Sequence, residues 1–475
     1  MKVKMSDFLN NTKPSIKKLI ENLSKDFKCV SVLGTDVCGK LYVVQKTGIS
    51  IKDSFWSERG FVVKVHNGIN YSEFSFNEIS ENNIDNTAEE IRRKVKSQIE
   101  VLKNKVNINS YDLINEEKIQ KSFVGEVKIL PEETSDKEII EKMTAIKDKA
   151  FTLSKLLIDV RVRYQRAHVS KIFLSNNKDL AQSYIWSEGA IFSIVRQDNK
   201  TKYSYSPLSG LKASELLDEM SEKVDETVDI SIKLLNSSPV TPGEYDCICS
   251  PDVSGIIAHE AFGHGVEMDM FVKNRAKAVQ YMDKAVASKL VTMHDGAASA
   301  SDVSSYLFDD EGVLGTDTIV IDKGILKKGI SDTLSALKLG TKPTGNGKRE
   351  SFERKAYSRM TNTYFSAGTD KLEDMIASIE FGYLLDAPTS GMEDPKNWGI
   401  QCMVNYGLEI KNGKLTGNIV SPVVLTGYVP DLLKSISMVS GKVELCGSGA
   451  CGKGHKEYVK VSCGGPYIKA KVRLG

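Results

Sequence analysis

The stretch PDVSGIIAHEAFGHGVEM, residues 251–268, decides how the second half of this chain is interpreted. It is typical of a helix opened by Pro251 and Asp252, and it places His259 and His264 five residues apart. Five residues rotate a regular α-helix by about 140°, whereas four rotate it by about 40°, so a straight helix would point the two imidazoles to different sides. A shared ligand therefore requires a local change in helix geometry.

Two local geometries would bring the two histidines together. A single π-turn, with its i→i+5 hydrogen bond, returns residues five apart to one helix face, and such turns are frequent at functional sites. Alternatively, the helix ends at Gly263 and the chain turns there, since glycine enters left-handed conformations at low cost. His264 lies between Gly263 and Gly265, so the sequence permits both alternatives.

The residues around the histidine pair indicate a metal site. Ile256, Ile257 and Phe262 suggest a helix buried on one side, where two imidazoles and a carboxylate are costly without a partner such as a metal. Glu260 lies next to a candidate ligand, which is the position of a general base for a metal-activated water. The competing interpretation, held open here, is a histidine pair satisfied by packing and hydrogen bonds alone.

A catalytic zinc site needs a third protein ligand and an open position. The candidates are the remaining histidines, nearby carboxylates and C-terminal cysteines, namely His66, His168, His294, His455, Glu267, Asp269, Cys446, Cys451 and Cys463. Cys451 lies in GSGACGKGHK (447–456), a glycine-dense loop that another part of the backbone can approach closely. A zinc-bound thiolate is ordinary chemistry, but an arbitrary cysteine is more often a small buried hydrophobe. Composition alone does not choose among these residues.

Bulk composition excludes several classes of protein. With 64 Lys and Arg against 62 Asp and Glu in 475 residues, the chain lacks the excess of positive charge that is typical of nucleic-acid-binding proteins. No apolar run approaches the roughly 20 residues of a membrane span. The N-terminus has no apolar signal region, so we expect a cytoplasmic protein with eight reduced cysteines.

The pattern along the chain predicts an α+β fold. We expect an N-terminal α/β region of helices with antiparallel strands, followed by a β-rich C-terminal catalytic domain that carries the H-E-x-x-x-H helix. Changes in apolar periodicity and in the frequency of turn residues along the chain predict three domains. These are an N-terminal α+β domain over 1–110, a central α+β domain over 118–236 and the β-rich domain over 240–475. Helices are predicted over 5–26, 86–105, 135–158, 211–236, 279–290, 331–339, 370–381 and 430–435.

Several linked motifs resemble the TldD/PmbA family. They occur in the same order as in that family, over roughly residues 250–475: HEAFGHGVEMD (259–269), KLGTKPTGNGKRES (338–351), RMTNTY (359–364), ISMVSG (436–441) and GACGKG (449–454). The resemblance implies a cytoplasmic zinc metalloprotease of the TldD type, the active kind of subunit. It further implies that Zn²⁺ is held by His259, His264 and Cys451, with Glu260 as the catalytic base.

The resemblance also implies substrates and partners. Family members process modified peptides and degrade largely unfolded polypeptides, so we expect an extended peptide substrate and a role in peptide maturation. They act as dimers, which predicts either a homodimer or a heterodimer with a sister subunit that lacks the metal motif. Residues 386–401, DAPTSGMEDPKNWGIQ, depart from the usual glycine-rich family sequence, and we expect this segment near the cleft.

The substrate-binding residues stay unknown at this stage. Lys348 and Arg349 are interpreted either as cleft residues that meet substrate carboxylates or as surface charges on a solvated turn. The first alternative to a protease is a non-catalytic peptide-binding subunit with a structural zinc. The second is a thiol-dependent enzyme that uses Cys451 and His455.

Overall fold

Eight strands from the N-terminal half form one sheet in the computed structural model, which describes residues 1–103, 110–454 and 456–475. The strands are β1 (Lys28–Gln45), β2 (Gly48–Asp53), β3 (Glu58–His66), β4 (Tyr71–Phe76), β5 (Ile119–Val124), β6 (Leu157–Ser175), β7 (Lys178–Gln197) and β8 (Lys200–Gly210). Their order is β4-β3-β1-β6-β7-β5, with β2 paired to β1 and β8 paired to β7. All neighbours are antiparallel except β5 and β7, which are parallel.

This sheet runs across the predicted boundary between segments 1–110 and 118–236. Strand β1 from the first segment pairs with β6 from the second, in a register that joins Ser31 to Ser175 and Val44 to Val162. The two segments therefore share one sheet rather than each building its own. The physical reason is that each long strand pairs within its own segment on one side, β1 with β3 and β6 with β7, and its other edge is satisfied by the strand from the other segment.

The two faces of the sheet have different partners. Five helices cover one face: α1 (Asp7–Leu23), α2 (Ile84–Lys103), α3 (Asp136–Leu153), α4 (Leu216–Glu222) and α5 (Val224–Leu234). Along β1, Val32 and Val44 pack with these helices, whereas Leu33 and Val37 point to the opposite face. There they contact C-terminal residues such as Phe308, as the period-two alternation of a strand requires.

The C-terminal half contains a closed barrel and a second sheet. Its strands are β9 (Gly243–Cys249), β10 (Met293–Asp295), β11 (Thr318–Asp322), β12 (Ile325–Leu326), β13 (Gly347–Lys348), β14 (Tyr357–Ser358), β15 (Asn362–Phe365), β16 (Phe381–Asp394), β17 (Gly399–Lys411), β18 (Lys414–Val420), β19 (Val423–Tyr428), β20 (Met438–Val439), β21 (Glu444–Cys446), β22 (Ala450–Lys453), β23 (Lys456–Lys460), β24 (Ser462–Gly465) and β25 (Ile468–Leu474). The barrel closes in the order β16-β9-β25-β19-β17, because β17 pairs back onto β16. The second sheet has the order β12-β11-β10-β15-β24-β21.

Short helices connect these strands. They are α6 (Pro251–Ile256), α7 (Met268–Val272), α8 (Thr333–Leu339), α9 (Leu372–Ala377) and α10 (Val429–Lys434). Helix α6 contacts β16 of the barrel on one side and β24 of the second sheet on the other, so it lies between the two. This architecture confirms the predicted α+β class with a strand-rich C-terminal half. Among the described residues, none of the helices has the length and apolar character needed to cross a membrane.

The helix predicted over 279–290 is wrong. Only a 3-10 turn, Lys277–Tyr281, forms at its start. Beyond it Asp283 has a φ of 59°, and the Val286 backbone N–H donates to the Gly324 carbonyl. The segment therefore makes its hydrogen bonds with the β11–β12 hairpin, and that tertiary pairing overrides its local helical pattern.

Buried ion pairs hold the N-terminal sheet against the C-terminal half. The Lys64 ammonium on β3 lies 2.6 Å from the Glu311 carboxylate, and both side chains are buried. Lys171 on β6 lies 2.5 Å from Asp310, the residue before Glu311. Burial acts to raise the pKa of Glu311, but Lys64 outweighs it and holds that pKa below the ordinary value of 4.5.

We predict that Lys64→Met destabilises the protein by about 3–5 kcal/mol, because it leaves the Glu311 charge buried without its main cation. Lys18→Met, which removes one half of an exposed pair with Glu81, should cost much less, because water screens that pair. Because folding lowers the pKa of Glu311, the stability from this pair is present above about pH 4.5 and is lost as the pH falls below that value. The loss is complete only near the folded pKa of about 2, so urea unfolding of the wild type and both variants at pH 7 and at about pH 3 measures these effects. Equal losses for the two variants would contradict the prediction.

Candidate metal centre

A π-turn brings His259 and His264 together. Helix α6 begins at its cap, Ser250, and runs directly into a π-helix over Ile257–Gly263. The His264 backbone N–H donates to the His259 carbonyl, an i→i+5 bond that absorbs the extra residue. The two imidazole centroids lie 5.0 Å apart. The first of the two geometries allowed by the sequence is therefore the observed one.

Gly263 serves close packing rather than a turn. Its φ of −58° and ψ of −51° are ordinary right-handed helical values, so the helix does not end there in a left-handed conformation. A Cβ at this position would lie 2.1 Å from the Met360 sulfur. The second geometry, a glycine-mediated helix end, is not the one that forms.

The third member of the site is Cys451, which β22 carries to the open side of the two imidazoles. Its Sγ lies 3.2 Å from His259 Nε2 and 3.3 Å from His264 Nε2. All three side chains are buried, and the three donor atoms lie within 4.8 Å of one another. Zn–S bonds of about 2.3 Å and Zn–N bonds of about 2.0–2.1 Å in tetrahedral geometry place sulfur and nitrogen about 3.6 Å apart, so this donor set fits zinc.

The other candidates for the third ligand have different partners. His66 Nε2 lies 3.0 Å from the Tyr111 carbonyl, His168 Nε2 lies 2.9 Å from Ser183 Oγ, and His294 Nδ1 lies 2.8 Å from Asp317. Cys446 and Cys463 face each other across β21 and β24, and burial raises the pKa of both thiols. Asp269 accepts from Lys273, and His455 lies outside the described residues.

The protonation states of the site suit a metal. Burial lowers the pKa of His259, which favours the neutral imidazole that binds metals. Burial acts to raise the pKa of the Cys451 thiol, but His264 and Arg359 beside the sulfur outweigh it and lower that pKa. A lowered thiol pKa favours the thiolate, which is the form that coordinates metals.

Glu260 lies beside the donor atoms but is not among them. Its two carboxylate oxygens lie 3.9 Å from His259 Nε2 and 3.9 Å from His264 Nε2, beyond hydrogen-bonding distance. Its side chain keeps 15% of its exposure, whereas those of His259 and His264 keep 7% and 5%. The carboxylate is therefore the part of the motif that a bound substrate can reach.

Arg359 and Glu267 also contact the site, in roles that the sequence did not predict. The Arg359 guanidinium donates to the Cys451 carbonyl at 2.7 Å and lies 3.1 Å from its sulfur. Its Nε lies 3.4 Å from a Glu267 oxygen, which in turn lies 3.6 Å from His264 Nδ1. Glu267, considered above as a third ligand, thus faces the far side of the His264 ring. The only sequence signal for Arg359 was its place in RMTNTY.

The segment 386–401 packs against the π-helix, which confirms its predicted position near the site. A Cβ at Gly391 would lie 2.3 Å from Glu260 Cγ, so glycine is required there to admit the glutamate side chain. Trp398 is fully buried, and its ring centroid lies 5.8 Å from that of Phe262. The tryptophan therefore fills space behind the helix rather than lining a substrate site.

Lys348 and Arg349 are both buried, so their interpretation as surface charges on a solvated turn is wrong. Lys348 Nζ donates to Ser304 Oγ at 2.9 Å, and burial lowers its pKa to about 7. Arg349 forms a two-pronged ion pair with Glu73 of the N-terminal sheet, at 2.8 and 2.6 Å. These side chains join parts of the fold, and both also line a cavity of about 90 Å³.

The C-terminal half matches a known family and named relatives. Residues 242–473 match the family described as PmbA/TldA metallopeptidase C-terminal domain. A metalloprotease TldD homolog of Buchnera aphidicola is 35% identical over 248 residues, which cover 51% of this chain and 50% of the relative. A zinc metalloprotease TldD homolog of Saccharolobus solfataricus is 32% identical over 241 residues, 50% of this chain and 53% of the relative. The chain thus spans about half the length of these curated relatives.

The whole fold has a structural neighbour. The crystal structure of TldE from Thermococcus kodakarensis superposes with a TM-score of 0.75, covering 97% of this chain and 100% of that chain. The sequence identity is 17%, so this likeness concerns the fold. It includes the N-terminal sheet, which the family match over residues 242–473 does not cover.

We predict that Glu267→Gln weakens zinc binding by about 10–100-fold, because the imidazole of His264 loses the carboxylate that faces its Nδ1. Arg359→Lys should also weaken it, since a lysine cannot contact both Glu267 and the Cys451 segment. Competition with a chromophoric chelator measures the affinity, and circular dichroism reports the fold. The exposed Arg196→Met is the control, and unchanged zinc affinity in both folded variants would refute the assigned roles.

Proposed function

This chain belongs to the TldD/PmbA family, and from that premise we propose that it is a zinc-dependent peptidase. The observation that carries the proposal is the convergence of His259, His264 and Cys451 beside a partly accessible Glu260. Three protein ligands with a carboxylate next to them are the arrangement of a catalytic zinc site, whereas a structural site closes with four ligands. Relatives that are named metalloproteases support the same class of reaction.

The proposed metal ligands are His259 Nε2, His264 Nε2 and Cys451 Sγ. When bound, Zn²⁺ supplies a Lewis acid that polarises the scissile carbonyl and acidifies a water molecule. The lowered pKa of His259 favours the neutral imidazole and the lowered pKa of Cys451 favours the thiolate, which are the forms that bind zinc. Arg359 faces the sulfur and compensates part of its negative charge.

Glu260 is the proposed general base. Its carboxylate accepts the proton of the attacking water and then delivers it to the leaving amine. Within the described parts of the chain no group donates a hydrogen bond to this carboxylate, so it can move from the water to the leaving amine. Gly391 leaves the space that this movement needs, since any larger residue would press on the glutamate side chain.

The proposed substrates are extended or modified peptides and unfolded polypeptides, and peptide maturation is the proposed role. The proposed location is the cytoplasm. The proposed assembly is a dimer, either of two copies or with a sister subunit, for which the likeness to a TldE structure is the support. The accessible edge of Glu260 is compatible with a main chain passing in an extended conformation.

The two alternatives have less support. A non-catalytic subunit with a structural zinc has no use for a partly accessible carboxylate beside the ligands. A thiol-dependent enzyme would need Cys451 as an accessible nucleophile, but its sulfur is buried between two imidazoles and Arg359. Its proposed base, His455, lies outside the described residues.

We predict that Glu260→Gln retains zinc and lowers peptide cleavage by at least about 100-fold, because the amide cannot accept the proton of the water. Zinc content by atomic emission and cleavage of a fluorogenic peptide measure the two properties on one preparation. A glutamine variant that holds zinc and cleaves at the wild-type rate would show that Glu260 is not the base.

We predict that Cys451→Ser lowers zinc affinity and activity together, since a hydroxyl replaces the thiolate ligand. A chelator should abolish wild-type cleavage, and added zinc should restore it. Cys38→Ser is the matched control, because Cys38 is exposed and lies in the N-terminal sheet. Cleavage that survives chelation but is lost on alkylation would favour the thiol-dependent alternative instead.

A further inference from the structure

The helix that carries the metal motif presents a single accessible stripe. Among residues 251–260, only Asp252, Ile256 and Glu260 retain partial exposure, and the other seven are buried. These three are four residues apart, so they lie along one face of the helix. Ile256 and Glu260 both adjoin Gly391 of β16, which confirms that their side chains are neighbours. The stripe therefore runs from the proposed base towards the start of the helix.

A cleft of about 470 Å³ opens over this stripe. Its walls come from strands β6, β7 and β8 of the N-terminal sheet and from β16 of the barrel, and they carry mainly aromatic and proline side chains: Phe192, Tyr203, Tyr205, Pro207 and Pro388. The guanidinium in this lining, that of Arg163, is paired with Glu188 at 2.7 Å. Phe192 and Tyr205 stack with centroids 5.7 Å apart, and the Tyr205 hydroxyl donates to the Pro388 carbonyl across the cleft wall. Ile256 contributes the apolar centre of the floor.

The cleft adjoins the segment that leads to Cys451. Ser448 and Gly449, two of its lining residues, immediately precede the strand that carries Cys451. Cys463 lines the same cleft, and burial together with the charges of Asp252, Glu260 and Cys451 raises the pKa of its thiol. An occupant of the cleft would therefore contact Ile256, which lies about one helical turn from Glu260.

The dimensions suit an extended peptide. Four residues of helix advance about 6 Å, which separates Ile256 from Glu260 along the axis. An extended chain advances about 3.3 Å per residue, so two peptide residues cover nearly the same length. A peptide whose scissile bond lies at Glu260 thus places a side chain over Ile256 within one or two positions of that bond.

We propose that this cleft is the specificity pocket of the enzyme and selects a large apolar, preferably aromatic, side chain one or two residues from the scissile bond. The inference rests on the peptidase function proposed above. Stacked aromatic walls and an isoleucine floor bury such a side chain favourably, whereas a polar side chain loses its hydration there.

The far end of the stripe selects against acidic residues. Asp252 leads from the cleft into a second cavity of about 340 Å³, where one cation, Lys223, faces Glu219 and Glu226 and two further carboxylates, Asp386 and Glu444. Burial, followed by the charges of these two neighbours, raises the pKa of Asp252 to about 6. At neutral pH the carboxylates repel a further negative charge, so a peptide that continues in this direction carries uncharged or basic residues.

The experiment uses zinc-loaded protein and a set of peptides in Ser, Gly and Ala residues with one Phe placed at successive positions. Mass spectrometry maps each cut. We expect the cleavage site to move with the Phe, always within two positions of it, and kcat/KM to fall by at least about tenfold when Phe is replaced by Ser. Cuts at positions independent of the Phe would overturn the proposal.

Variants locate the preference in the cleft. Phe192→Ala should reduce the Phe-over-Ser ratio by about tenfold, whereas Phe192→Leu should largely retain it. Phe381→Ala is the control, because this ring is 45% exposed and lies outside the cleft. If Phe192→Ala fails to fold, Tyr203→Ala replaces it, since Tyr203 is 43% exposed. An unchanged ratio in a folded cleft variant contradicts the assignment.

Two failures are distinguishable. If wild type cleaves all peptides equally and Glu260→Gln cleaves none, the proposed specificity pocket is wrong but the peptidase function is supported. Absence of zinc-dependent cleavage of every peptide would overturn the proposed function itself. A Glu placed two residues beyond the Phe, away from the cut, should lower kcat/KM several-fold, and Asp252→Asn should relieve that loss.

Discussion

The metal centre depends on one extra residue in one helical turn. His259 and His264 face the same point only because the backbone bond from His264 reaches back five residues instead of four. A π-turn is rare in helices, and packing on both sides stabilises it here. Met360 occupies the space next to Gly263, and Trp398 lies against Phe262, so the turn is enclosed by the second sheet and by the barrel.

The second requirement is that distant segments meet at this turn. Cys451 arrives nearly two hundred residues later in the chain, and the guanidinium of Arg359 joins its carbonyl and sulfur to Glu267. A buried arginine and a buried glutamate are costly individually, but together with the thiolate they form a network in which each charge faces an opposite one. The network fixes His264 from one side and Cys451 from the other.

The local part of the site was predictable from the sequence, and the non-local part was not. The spacing of His259, Glu260 and His264 predicted a metal-binding motif and left two possible geometries for the helix. Cys451 followed only from a family resemblance, because a cysteine in a glycine-rich loop carries no sign of its partners. The contacts of Glu267 and Arg359 depend on how separate strands meet. Likewise, β1 pairs with β6 across the predicted boundary near residues 110–118. Residues 279–290 form no helix, because their backbone groups bond to the β11–β12 hairpin instead.

X-ray absorption at the zinc edge of the loaded protein tests most directly whether two imidazoles and one thiolate hold the metal with one position open. We expect one sulfur at about 2.3 Å and two imidazole nitrogens at about 2.0–2.1 Å, with an exchangeable oxygen ligand in the fourth position. A spectrum without sulfur, or with four protein ligands, would contradict it.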